Sequence, residues 1–113
     1  MSSECLFCRI VRREIPAAIV AEDEHCIAFR DIGPQAPTHV LVVPRQHVAT
    51  LDGVSDPLLV GRLMMMAARV AREGGLVEAG YRTVINTNAG AGQTVFHLHV
   101  HVLGGRRFTW PPG

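Results

Sequence analysis

The sequence predicts an α+β domain, an antiparallel sheet of five strands with a short amino-terminal helix and one long helix packed against it. Two features carry this expectation. The periodic segments run in the order short helix, three strands, long helix, two strands. Strands that follow one another directly are mostly joined by connections too short for the crossover that parallel pairing requires.

The elements follow from local chemistry. Cys5–Arg13 reads as the short helix, stopped by Ile15-Pro16 because the residue before a proline disfavours the helical region. Ile19–Glu22 and Cys26–Arg30 read as strands around a tight turn at Asp23-Glu24. Two prolines and a glycine make Asp31–Pro37 a loop. Thr38–Val43 is a β-branched run that suits a central strand, and Pro44 ends it. Ser55 is the expected N-cap of the long helix, with Asp56 and Pro57 in its first turn. Leu59, Leu63, Met66 and Val70 recur at helical spacing, and Gly74-Gly75 stops the run. The run Met64–Met66 reads as core filling. Tyr81–Asn86 is a fourth strand, Thr87–Gln93 a glycine-containing loop and Phe96–Leu103 the fifth strand.

Composition narrows the functional classes. With 113 residues the chain is expected to form a single domain, spanning 1–113. A net charge of +1 gives no case for a nucleic-acid or membrane surface. All 11 Lys-or-Arg positions are arginine, which removes any lysine nucleophile or Schiff base. The opening MSSECLFCRI lacks the basic start and long apolar run of a signal peptide, and no stretch reaches the ~18 apolar residues of a membrane span. The chain is expected to be cytoplasmic, and with three cysteines, an odd number, a disulfide framework is not expected.

The strongest chemical signal is HLHVHV, His97 to Val102. Alternate side chains of a strand share a face, so His97, His99 and His101 should point one way while Leu98, Val100 and Val102 enter the core. Three imidazoles in register are poorly explained by stability, since each needs hydrogen-bond partners when buried and resists joint protonation. A three-histidine zinc site is awkward, because the third ring lies two pleats from the first. A nucleophile suits the pattern better. An imidazole can displace a phosphoryl leaving group and form a phosphoramidate that water cleaves, provided a partner on its other nitrogen fixes the tautomer. The segment just upstream, Asn86 to Thr94, has glycines that allow close backbone approach to a phosphate, and Gln93 and Thr94 offer donors.

A second signal is Cys5-Leu-Phe-Cys8. Such a C-x₂-C pair forms half of many zinc sites, and His47 and His97 are candidates for the other two ligands. No thioredoxin-like βαβ context surrounds it, which disfavours a redox dithiol. Cys26 is left as a core residue.

HLHVHV followed by Leu103 resembles the H-φ-H-φ-H-φ-φ signature of the histidine triad (HIT) superfamily. The stretch from Ile15 to Val48 resembles the amino-terminal half of its Hint-like branch, and Gly80 to Gly113, with the terminal Trp-Pro-Pro-Gly, its carboxy-terminal half. The resemblance implies a HIT-like fold and a homodimer whose two five-stranded sheets join into ten strands. It implies hydrolysis of purine nucleoside phosphoramidates (AMP or GMP derivatives) and of acyl adenylates through a nucleotidyl-histidine. Carried over by position, His99 matches the nucleophile, with His97, His101 and His39 as its histidine neighbours. Asp31 matches the carboxylate on the ribose hydroxyls, a role compatible with general ribose recognition, although a loop Asp also caps its own turn. Ile32 would line the base pocket. Asn86, Gly92 and Thr94 match groups around the phosphate and leaving group, and Trp110 a residue near the partner subunit's site. Bacterial HIT proteins and the related galactose-1-phosphate uridylyltransferases also pair C-x₂-C with a downstream His and the first triad His, which implies structural zinc on Cys5, Cys8, His47 and His97. No organic cofactor is implied. Two rival functions stand beside the hydrolase: a nucleotide-binding regulatory module with incidental turnover, and a dinucleoside polyphosphate hydrolase of the Fhit type, which the Trp-Pro-Pro-Gly tail disfavours.

Overall fold

A computed structural model describes residues 5–113. The elements are α1 (Leu6–Val11), β1 (Ile19–Glu22), β2 (Cys26–Arg30), β3 (Thr38–Pro44), α2 (Pro57–Glu73), β4 (Tyr81–Val84) and β5 (Val100–Gly104). The five strands form one sheet in the order β1-β2-β3-β5-β4, and every pairing is antiparallel. This is the expected α+β architecture, with both helices in place.

The hairpin β1–β2 turns on Asp23, whose Oδ1 accepts the backbone N–H groups of His25 and Cys26, both at 2.8 Å. That carboxylate does the work of a backbone turn and fixes the register of the hairpin. The central strand β3 is buried on both faces, which is why it reads as a continuous apolar run. Val40 and Val42 face α2, together with Leu98, Val100, Val102, Cys26 and the buried stripe Leu63, Met66, Ala67 and Val70. Leu41 and Val43 face the other way, into a smaller layer with Ile27, Phe29, Phe7 and Ile10. Fully burying side chains of this size contributes roughly 1.5–3 kcal/mol each. Met65 lies outside the core and is 69% exposed, so only Met66, with partial help from Met64, fills it.

Four boundaries differ from expectation, each for a local reason. Helix α1 is shorter than Cys5–Arg13. Cys5 is its N-cap, and Arg13 has φ +61, a left-handed conformation that ends the helix before Pro16 acts. Asp56 rather than Ser55 caps α2, accepting the Leu58 N–H at 3.0 Å, with Pro57 as the first helical residue. β4 stops at Val84 and not at Asn86. β5 begins at Val100 rather than Phe96, because Pro44 lies where the β3–β5 ladder would otherwise continue and has no N–H to give. The Leu98 N–H instead goes to the Val48 carbonyl at 2.7 Å. His97 and His99 therefore stand on a lead-in segment ahead of the paired strand, with His97 in a bend.

Candidate active site and metal centre

The end of β3, the lead-in to β5 and helix α1 converge on the sheet face away from α2. Two histidine clusters form there, and hydrogen bonds to backbone groups fix the protons of each. A backbone carbonyl can only accept and a backbone N–H can only donate, so each such bond decides one imidazole tautomer.

His99 Nδ1 lies 2.7 Å from the His97 carbonyl and must donate to it. Its Nε2 is left with a free lone pair. Burial holds the His99 pKa below the ordinary histidine value, against the opposing pull of that carbonyl and of Asp31, so the ring is neutral at physiological pH. Phe7 packs edge-on to His99 with ring centroids 5.1 Å apart.

His39 Nδ1 accepts the Gln35 backbone N–H at 3.0 Å. Its proton therefore sits on Nε2, which faces His101 Nδ1 at 2.8 Å and Asp31 Oδ2 at 3.4 Å. His101 Nδ1 accepts, so His101 carries its proton on Nε2. Burial first, then the neighbouring His99 and His39, lowers the His101 pKa to about 4, and burial lowers that of His39. Asp31, His39 and His101 lie close enough together to hold a metal ion. The Gln35 N–H argues against one, because it commits His39 Nε2 to a proton.

His97 is wired the opposite way. Its Nε2 lies 2.8 Å from the Pro44 carbonyl and donates to it. That leaves the Nδ1 lone pair facing Cys5 Sγ at 3.3 Å, Cys8 Sγ at 3.5 Å and His47 Nδ1 at 3.2 Å. Cys8 Sγ is 3.2 Å from His47 Nδ1. Such spacings suit the edges of a tetrahedron around an ion with bonds of ~2.0 Å to nitrogen and ~2.3 Å to sulfur. A ligating imidazole that donates its other N–H to a backbone carbonyl is a common second contact of metal sites. The four residues Cys5, Cys8, His47 and His97 are thus close enough to hold a metal ion, and His97 turns its lone pair toward the other three.

A cleft of about 340 Å³ opens beside His99 and His101, within the ordinary range for a small-molecule site. Leu6, Phe7 and Ile10 of α1 form one wall, Phe29 and Leu41 the floor, and Asp31, Ile32 and Thr94 contribute from the loops. Asp31 Oδ1 accepts the Gly33 N–H at 2.8 Å, so the carboxylate does cap its own turn, with lone pairs remaining on both oxygens. Ile32 is fully exposed at the rim.

Other expected site residues lie elsewhere. His97 does not line the cleft; its ring is fully buried, and it reaches His99 only through its carbonyl. Gln93 is turned inward, with its side chain bonded to backbone groups instead of facing the cleft. Its Oε1 accepts the Asn88 N–H, and its Nε2 donates to the Ala49 and Val95 carbonyls. Asn86 and Gly92 are not among the cleft residues, Gly92 having the left-handed φ of +97 that closes its turn. Trp110 is 82% exposed and does not line the cleft within this chain. Nothing in the local residue pattern marks the α1 wall or the Gln35 amide. Phe7 carried one usable signal, its place between the two cysteines.

The HIT domain family model matches residues 12–108. The chain belongs to the HIT family. A purine nucleoside phosphoramidase of Escherichia coli K12 is 47% identical over 108 residues, covering 94% of this chain and 91% of that protein. An uncharacterized HIT-like protein of Synechococcus elongatus is 53% identical over 115 aligned positions, covering 100% of both. Among solved structures, a HIT family hydrolase from Legionella pneumophila superposes with a TM-score of 0.94 at 52% identity, covering 97% of this chain and 100% of that one. The named phosphoramidase and the HIT family hydrolase among these relatives make this chain a HIT-type hydrolase. Among the described residues no helix is long and apolar enough to cross a membrane.

Proposed function

We propose that this HIT protein hydrolyses purine nucleoside phosphoramidates, and acyl adenylates, through a covalent nucleotidyl intermediate on His99. The hydrogen bond from His99 Nδ1 to the His97 carbonyl carries the reading. It leaves an uncharged ring with a free Nε2 lone pair at the edge of an apolar cleft, the state a nucleophilic imidazole needs. The phosphoramidase among its relatives supports the substrate class.

In this mechanism the base lies against Ile32 and the α1 wall, and Asp31 accepts hydrogen bonds from the ribose hydroxyls. His99 Nε2 attacks the α-phosphorus. A bond from phosphorus to the imidazole forms as the bond to the leaving amine breaks, and the amine departs after taking up a proton from solvent. For an acyl adenylate the bond broken is P–O. Water then attacks the same phosphorus and loses a proton, the phosphorus–imidazole bond breaks, and the nucleoside monophosphate is released. The His101 Nε2–H and Thr94 donate to the phosphoryl oxygens. Both are donors to developing negative charge, which is where such groups accelerate phosphoryl transfer.

Zinc is the metal that two thiolates and two imidazoles favour. Held by Cys5, Cys8, His47 and His97, it would tie α1 to the sheet as a closed structural site. The active form would be a cytoplasmic homodimer with Trp110 near the partner's cleft, and neither nucleic acid nor membrane has a part in it. Turnover of adenosine 5′-phosphoramidate should greatly exceed that of diadenosine polyphosphates and should vanish in His99→Ala. Preferred cleavage of the dinucleotides, or substantial turnover by His99→Ala, would overturn the reading.

A further inference from the structure

The 31–37 loop does more than carry Asp31. Its Gln35 N–H begins a chain of one-way hydrogen bonds, first to His39 Nδ1 and then from His39 Nε2 to His101 Nδ1. The chain ends with a proton on His101 Nε2, the nitrogen left free beside the cleft. We propose that the Gln35 peptide sets the tautomer of His101, and that Arg106 is a positioning residue that holds this peptide in place. The inference rests on the reading above, in which His101 donates to the substrate phosphate.

Three contacts support a clamp on Gln35. Arg106 Nε donates to the Gln35 carbonyl at 2.9 Å, the far side of the residue whose N–H binds His39. The Gln35 side chain donates to the Gly33 carbonyl at 3.1 Å and closes the loop on itself. The turn after β5 presses on the same loop. A Cβ at Gly105 would stand 2.8 Å from Pro37 Cβ, and the glycine adopts φ +90. Arg106 also lies over the Phe108 ring at 4.3 Å, which keeps the guanidinium from swinging into solvent.

The chemical consequence is specific. Were the protons reversed, His101 would offer a lone pair to an anionic phosphoryl oxygen and repel it. With Gln35 in place it offers an N–H and carries no charge, since its own pKa is held low. The contribution should therefore grow as charge builds on the phosphoryl oxygens and should appear in kcat more than in KM.

The test combines histidine nitrogen NMR with kinetics. In ¹⁵N-histidine-labelled wild type, His39 and His101 should both show the single Nε2–H pattern at neutral pH. Gln35→Pro deletes the donor N–H itself. It should mix the His101 tautomers and lower kcat for adenosine 5′-phosphoramidate by roughly a hundredfold, the low end of what a positioned proton donor contributes. Arg106→Ala should mix them partly and lower kcat by about threefold to tenfold, the worth of one hydrogen bond, with Arg106→Lys recovering much of the loss. Arg82→Ala removes the tail's other anchors, the Arg82 bond to the Thr109 carbonyl and its stacking on Phe108, while leaving the bond from Arg106 to Gln35, so it should keep the wild-type tautomer pattern. Wild-type tautomers and wild-type kcat in both Gln35→Pro and Arg106→Ala would overturn the proposal, as would mixing of the tautomers in Arg82→Ala. His99→Ala separates this inference from the reading beneath it, because it should abolish turnover and leave the His39 and His101 patterns intact.

Discussion

At the scale of single residues, three histidines of one motif hold their protons in three different ways, and their hydrogen-bond partners decide which. His97 gives its lone pair to the cysteine cluster because Pro44 takes its proton. His99 gives its lone pair to the cleft because the His97 carbonyl takes its proton. His101 presents a proton because His39 already donates to its other nitrogen. The alternation of HLHVHV made the shared face legible from sequence. It could not show which nitrogen of each ring faces the cleft, since that depends on carbonyls and amides brought in from distant segments. Asp31 is the other residue whose role can be measured directly. Charged hydrogen bonds to the ribose are typically worth ~1.5–3 kcal/mol, so Asp31→Ala should weaken nucleotide binding by roughly ten- to a hundredfold. It should also shrink the preference for ribose over dideoxyribose ligands. An unchanged preference, measured by calorimetry, would remove Asp31 from ribose recognition.

At the scale of elements, helix α1 links the two clusters. Cys5 and Cys8 reach the cluster with His47 and His97, while Phe7 between them packs on His99 and walls the cleft. A helix of 6 residues is too short to be stable by itself, so the clip that docks it matters. Metal bound at the four ligands would contribute to folding directly. Protein purified without added zinc should carry about one equivalent per chain, and Cys8→Ser should lose both the metal and several degrees of melting temperature. Metal-free wild type whose melting temperature is unmoved by Cys8→Ser would remove the centre and leave the histidine chemistry standing. The C-x₂-C spacing announced this site, because two thiols in one turn are neighbours in any fold. The boundaries of β5 and α2 were less legible. Both turn on where a proline falls relative to a partner strand or a cap, and periodicity does not record that.

At the scale of the whole molecule, the sheet leaves β4 as an edge, with Tyr81–Val84 only half-buried and its outer side without a partner strand among the described residues. Exposed edges of this kind are normally covered or paired. A second copy joining there would extend five strands to ten and bring the exposed Trp110 tail toward a neighbouring subunit. Sedimentation at micromolar concentration should give about twice the 12.3 kDa chain mass. A clean monomer that still turns over substrate would refute an obligate dimer. The antiparallel α+β layout was readable from segment order and short connections. The order β1-β2-β3-β5-β4 was not, since periodicity marks strands without naming their neighbours.

The covalent step is the centre of the account, and rapid quenching tests it most directly. Enzyme mixed with adenosine 5′-phosphoramidate labelled in the phosphate should, within one turnover, carry an acid-labile, base-stable label on His99. That label should chase into AMP, and His99→Ala should never acquire it. Label that never appears on wild type while product forms, or that appears equally on His99→Ala, would contradict the mechanism.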